Sequence, residues 1–186
     1  MIFLSASIPD QEDQNYFHSA DITAIRDAVR ALATVVLPNE ILVFGGHPAI
    51  TPLIKFVADS MGGNLDDHVT LYQSEFFEAN LPTENKYFKN VIFVETQGDQ
   101  AASLTVLRQR MFTDQQFRAG VFIGGKEGVE DEYALFTEFQ PQAETYPVAS
   151  TGGAAKIIYD NSKIKPNPML LDDYAYMAMF RSLLNK

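Results

Sequence analysis

The sequence predicts a doubly wound α/β domain, with a mostly parallel sheet of about six strands and helices on both faces. Two observations carry this. Short β-rich runs alternate with longer runs whose apolar residues recur every three or four positions, the pattern of strand–helix crossovers. Eight of the eleven glycines stand in four pairs, and three of these pairs fall directly between a strand-like and a helix-like run. An open parallel sheet makes such turns at its carboxyl edge. The 186 residues suit one domain spanning 1–186, and no repeat, low-complexity tract or linker divides them.

Residues 2–8 form the first expected strand, followed by a polar loop over 9–21 rich in Asp, Gln and Asn. Ile22, Ile25, Val29, Leu32 and Val36 then recur at helical spacing. Asp21 is placed to cap that helix, and Pro38 and Asn39 to end it. The run 41–44 reads as a buried strand stopping at Gly45-Gly46. A helix over 49–61 follows, with Gly62-Gly63 as its stop. Strands are expected over 69–72 and 90–95, with loop and short helix over 74–89 between them. A helix over 100–112 turns Leu104, Leu107 and Met111 inward. The strand 120–123 ends at Gly124-Gly125, and Val129, Tyr133 and Phe136 mark the next helix. The strand 146–149 leads through Ser150-Thr151-Gly152-Gly153 to a helix ending at Tyr159, and a last helix is expected over 170–184.

Composition excludes several chemistries. There is no cysteine, so disulfides, thiolate metal sites and cysteine nucleophiles fall away. Fourteen basic against 24 acidic residues give a net charge of −10, which opposes binding to nucleic acid or anionic membrane. The apolar start lacks a basic flank and is broken by Pro9-Asp10. It reads as a strand rather than a signal peptide, and a cytoplasmic location is expected. His18, His47 and His68 show no metal spacing, so no metal is expected; His18 and His68 read as loop residues.

The glycine pairs are the strongest pointer to a site. A pair at a strand–helix junction lets the backbone approach a ligand, and the helix that follows offers free N–H groups to phosphate or carboxylate. A single pair would mean only a tight turn; three at equivalent junctions favour a ligand pocket. The familiar nucleotide and hydrolase motifs are missing. Gly124-Gly125-Lys126-Glu127 lacks the Lys-Ser/Thr step of a phosphate-binding loop, and neither a dinucleotide-binding glycine fingerprint nor a nucleophile elbow occurs.

One stretch is more specific. Arg108 and Arg110 lie on a helix, the strand 120–123 follows, and then come Ile123-Gly124-Gly125-Lys126-Glu127-Gly128-Val129-Glu130-Asp131-Glu132. This arrangement resembles the SLOG superfamily, the Rossmann-like fold shared by LOG cytokinin-activating enzymes, the DNA-processing protein DprA/Smf and TRPM channel sensor domains. LOG enzymes carry an arginine-bearing helix, a strand, then Pro-Gly-Gly-x-Gly-Thr-x-x-Glu. Here Ile123 stands for the proline, the loop holds one extra residue, Gly128-Val129 stands for Gly-Thr, and Glu132 takes the glutamate position. Ser5-Ala6-Ser7, Gly45-Gly46-His47-Pro48 and residues 147–154 fit the other edge loops. The likeness looks closest to the SLOG branch found beside TIR- and sirtuin-type effectors in bacterial defence systems.

That resemblance implies a non-catalytic sensor binding an ADP-ribose or cyclic ADP-ribose type of signal, with no cofactor required. Its alternative is a LOG-like nucleotide N-glycosidase using Arg108 and Glu132. The expected ligand contacts are Ser5, Ala6, Ser7, Gly45, Gly46, His47, Arg108, Gly124, Gly125, Lys126, Glu127, Gly128, Glu132, Ser150, Thr151, Gly152 and Gly153. Arg108 fits the spacing better than Arg110. The altered loop favours binding over catalysis, because a displaced catalytic group loses much of its rate. DNA binding of the DprA kind conflicts with the charge. The last helix, with Tyr174, Tyr176, Met177, Met179 and Phe180 nearly all round it, is expected to form a homodimer or effector interface.

Overall fold

A computed structural model describes residues 1–62, 65–81 and 83–184. Six strands form one sheet: β1 (Ile2–Ser7), β2 (Leu42–Phe44), β3 (Val69–Ser74), β4 (Asn90–Val94), β5 (Ala119–Gly124) and β6 (Glu144–Val148). Their order is β4-β3-β2-β1-β5-β6, and every pairing is parallel. The chain steps outward from β1 to β4, then crosses to the other side of β1 for β5. The order therefore reverses between β1 and β5, where a doubly wound sheet opens its crevice. The architecture is the Rossmann-like α/β arrangement.

The helices are α1 (Gln14–Phe17), α2 (Ile22–Val36), α3 (Thr51–Met61), α4 (Gln100–Asp114), α5 (Glu127–Phe139), α6 (Gly153–Asn161), α7 (Met169–Asp172) and α8 (Tyr176–Leu184). Two apolar layers sandwich the sheet. Ile2 and Leu4 of β1 pack with α2, α3 and α8; Phe3 packs on the opposite face with residues of α4, α5 and α6. Successive strand side chains point to opposite faces. Ser5 and Ser7 thus share Phe3's face, beneath α4 and α5. The cluster of Phe3, Phe112 and Phe136, with ring centroids 4.9–5.6 Å apart, fixes those two helices over the sheet. At the amino edge, Arg118 makes a two-pronged contact with Glu40 and donates to the Leu184 carbonyl at 2.7 Å. This staple lies opposite the edge where the glycine turns converge.

The aspartate- and glutamine-rich loop after β1 contains the short α1. Asp21 caps α2 by accepting from the Ala24 amide at 2.9 Å, as its position predicts. β3 runs two residues beyond the expected 69–72. Gly63 of the Gly62-Gly63 stop lies outside the described residues. The single last helix expected over 170–184 is instead two, α7 and α8. Asp173 takes an extended conformation, its Oδ1 accepts from the Ala175 amide at 2.7 Å, and its carbonyl accepts from the Ser150 hydroxyl at 3.1 Å. A local side-chain turn and a tertiary anchor together outcompete helix continuation.

Candidate functional site

A cavity of about 430 Å³ opens at the carboxyl edge, running from the β1/β5 switch point to the end of β3. It is built from helical stripes that the sequence sets. Leu104, Leu107 and Arg108 lie three or four residues apart on α4, as Gly128, Val129 and Glu132 do on α5, so each set faces inward together. Arg110 falls off the stripe; it is exposed and pairs with Asp114 at 3.2 Å.

At the switch point, the Ser5 hydroxyl donates to Glu132 Oε2 at 2.5 Å, and Arg108 Nε stands 3.5 Å from Glu132 Oε1. The Arg108 and Glu132 side chains keep only 11% and 18% exposure. Burial pushes the Glu132 carboxyl above its ordinary range, while Arg108 and the Ser5 hydroxyl pull the other way. Arg108 Nη1 bonds Asp131 at 3.0 Å and Nη2 donates to the Gly128 carbonyl at 3.3 Å. Its Nε is buried without a hydrogen-bond partner. A Cβ on Gly128 would lie 3.0 Å from Arg108 Nη2, so the glycine makes room for the guanidinium. A Cβ on Gly45 would lie 3.9 Å from Glu132 Oε1, which shows how closely the β2 turn meets this cluster. No side chain caps α5. Its first free amides, of Glu127 and Gly128, have no partner among the described residues, which is the arrangement that attracts an anion.

Ten of the expected contacts line the cavity: Ser5, Ala6, Ser7, Gly45, Gly46, His47, Arg108, Lys126, Gly128 and Glu132. His47 accepts the Ala49 amide on Nδ1 at 3.1 Å, which puts its proton on Nε2. Desolvation, helped by Lys126, holds its pKa below the usual value, so the ring is neutral at pH 7. Lys126 is not free for a phosphate. Its Nζ is 2.8 Å from Asp13 and 3.4 Å from Asp10, which raises its pKa. With the Tyr16 hydroxyl donating to Glu130 at 2.6 Å, this clasps the loop after β1 onto the start of α5. Glu130 and the burial of the ring push the Tyr16 phenol up to about 12.

The other seven expected contacts lie off the cavity wall. Glu127 points to solvent. Gly124, Gly125, Thr151, Gly152 and Gly153 form a junction between loops. The Thr151 hydroxyl accepts from the Gly124 amide at 2.8 Å, the Gly125 carbonyl accepts from the Ala154 amide at 3.0 Å, and the Gly153 amide donates to the Ser19 hydroxyl at 3.2 Å. The N-terminus of α6 is thus satisfied inside the protein. The reason is topological: β6 lies beyond β5, and the loop after β1 fills the space above both. Ser150 bonds the Asp173 carbonyl and Tyr176, anchoring the C-terminal segment.

Sequence reading missed Gln73, Phe77, Leu81 and Leu104, which line the far end of the cavity. Leu104 was expected only as an inward core residue. Gln73 was missed because β3 was ended at Tyr72; a polar residue closing a buried strand at its carboxyl end was the available signal. Among the described residues no three metal-ligating side chains come together, and no helix is long and apolar enough to cross a membrane.

No curated protein matches the chain at a significant level. A family model does: the SLOG cluster3 family matches residues 15–184, which include every element from α2 to α8 and the α4 and α5 residues of the cavity. With the parallel sheet and the Arg108–Glu132 pair already in place, the match covers most of the chain, and the protein belongs to the SLOG cluster3 family.

Proposed function

We propose that the cavity binds a nucleotide-derived signal of the ADP-ribose or cyclic ADP-ribose type and does not turn it over. The observation that carries this is the polarity of the cavity. Uncapped amides of α5 stand beside Ser5, Arg108 and Glu132 at the switch point, and beyond them the wall carries Phe77, Leu81 and Leu104 together with Gln73 and Ser74. A nucleotide has the same division, with phosphates and sugar hydroxyls at one end and a flat ring at the other. The volume of about 430 Å³ lies in the range of small-molecule sites. Glu132 serves as an acceptor for ribose hydroxyls. A phosphate at α5 competes with the Asp13 and Asp10 carboxylates for Lys126. Binding then loosens the loop after β1, a coupling that needs only a difference in affinity between the clasped and open states.

The partner contact in this reading stays at the C-terminal segment. The apolar α8 residues Tyr176, Met179, Phe180, Leu183 and Leu184 are buried within the chain, while Tyr174 is 61% exposed.

A second reading, a LOG-like N-glycosidase, rests on the Arg108–Glu132 pair itself. A buried carboxyl with a raised pKa is the type of group that moves protons in catalysis. A thermal-shift panel of ADP-ribose, cyclic ADP-ribose, NAD and AMP, with products resolved chromatographically, separates the two. The sensor reading expects a raised Tm with ADP-ribose or cyclic ADP-ribose and no free base. Steady base release that disappears in Glu132→Ala would replace it with the hydrolase.

A further inference from the structure

We infer that Gln73 selects the ring of the ligand by accepting a hydrogen bond from an exocyclic amine. The inference rests on the nucleotide reading above and adds the residue that reads the base.

Gln73 closes β3 and is only 5% exposed, yet its side chain lines the cavity. Its Nε2 donates to the Gly45 carbonyl at 3.2 Å. That bond sets which way the amide faces, because the carbonyl can only accept. Gly46 backs onto the same group: its φ is +64°, and a Cβ there would stand 1.7 Å from Gln73 Nε2. The amide is therefore wedged against the turn after β2 and not free to flip. Among the described residues no hydrogen bond reaches its Oε1.

A ligand that brings an N–H to this oxygen gains a hydrogen bond at the cavity wall. The surroundings say what carries the donor. Phe77, Leu81 and Leu104 flank this end, so the donor sits on an apolar, flat body rather than on a sugar. In the sheet order, β3 lies two strands from β1. That sets the backbones of β3 and β1 about 10 Å apart, so Gln73 and the α5 amides stand at separate points of one cavity. A 6-aminopurine presents an N–H donor at that position. A 6-oxopurine presents a carbonyl, which would face Oε1 oxygen to oxygen.

The test is calorimetric titration of the full chain with ADP-ribose and with its hypoxanthine counterpart, repeated on Gln73→Met. The expected result is at least a tenfold preference for ADP-ribose in the native protein. In Gln73→Met that preference falls to within about twofold. The native comparison stands even if the variant fails to fold. Equal binding of the two compounds to the native protein, or a preference that persists in Gln73→Met, overturns the assignment and leaves the nucleotide reading intact. Binding of neither compound overturns both.

Discussion

The Ser5 hydroxyl donates to Glu132 at 2.5 Å across 127 residues of chain, joining the end of β1 to the first turns of α5 at the point where the sheet order reverses. The bond exists because strand alternation puts Ser5 on the α4–α5 face and helical spacing puts Glu132 on the inner stripe of α5. Ser5→Ala removes one of the two groups that favour the ionised carboxylate. We expect a loss of about 1.5–3 kcal/mol at pH values where the carboxyl is ionised, the range for hydrogen bonds to charged groups. Denaturant titration should find a smaller loss near pH 4. An equal loss at both pH values would show that the bond does not depend on the charge of Glu132.

The raised pKa of Glu132 has a definite sign in stability. Between the ordinary value of 4.5 and the higher native value, the folded protein holds more protons at this site than the unfolded chain. Stability from this group therefore falls as pH climbs through that window. Glu132→Gln removes the dependence. Subtracting its pH–stability curve from the native one should leave a component that declines upward from pH 4.5. A component that rises with pH would mean that Arg108 outweighs burial at this carboxylate.

Two glycines separate backbone strain from close approach. Gly62 and Gly152 share nearly the same positive φ, 69° and 70°. Among the described residues a Cβ on Gly62 meets nothing within 4 Å, whereas on Gly152 it would lie 1.7 Å from the Ser19 carbonyl oxygen. Gly62→Ala should cost about 1–3 kcal/mol. Gly152→Ala should cost about 1–3 kcal/mol more, because a backbone atom must move. Equal unfolding free energies for the two variants would show that the loop after β1 is not packed on this turn.

The Lys126–Asp13 contact at 2.8 Å holds the lysine that immediately precedes α5. Asp13→Asn should free Lys126 for an anionic ligand and tighten ADP-ribose binding by about three- to tenfold. Weaker binding in that variant would mean that the clasp pre-organises the site instead of competing with the ligand.

The sheet and the order of its elements were legible because alternation and glycine punctuation are local signals. The convergence of Ser5, Gly45, Arg108 and Glu132 was legible from the carboxyl-edge rule and the family motif together. What escaped depended on tertiary packing. Gly152-Gly153 looks in sequence like the other glycine turns. Only the strand order shows that β6 is too far out, and that Ser19 and Gly125 already satisfy the start of α6. The break at Asp173 needed Ser150 as an anchor from 23 residues away. The pairing of Lys126 with Asp13 is likewise invisible in a loop read simply as polar.

The most direct test is isothermal titration calorimetry with ADP-ribose on the native chain and on Glu132→Gln, with the recovered ligand checked for cleavage. The account predicts saturable one-to-one binding, intact ligand afterwards, and at least about tenfold weaker binding in the variant, the scale of a lost charge-assisted hydrogen bond. Undiminished binding in Glu132→Gln, or no heat with the native protein, would contradict it.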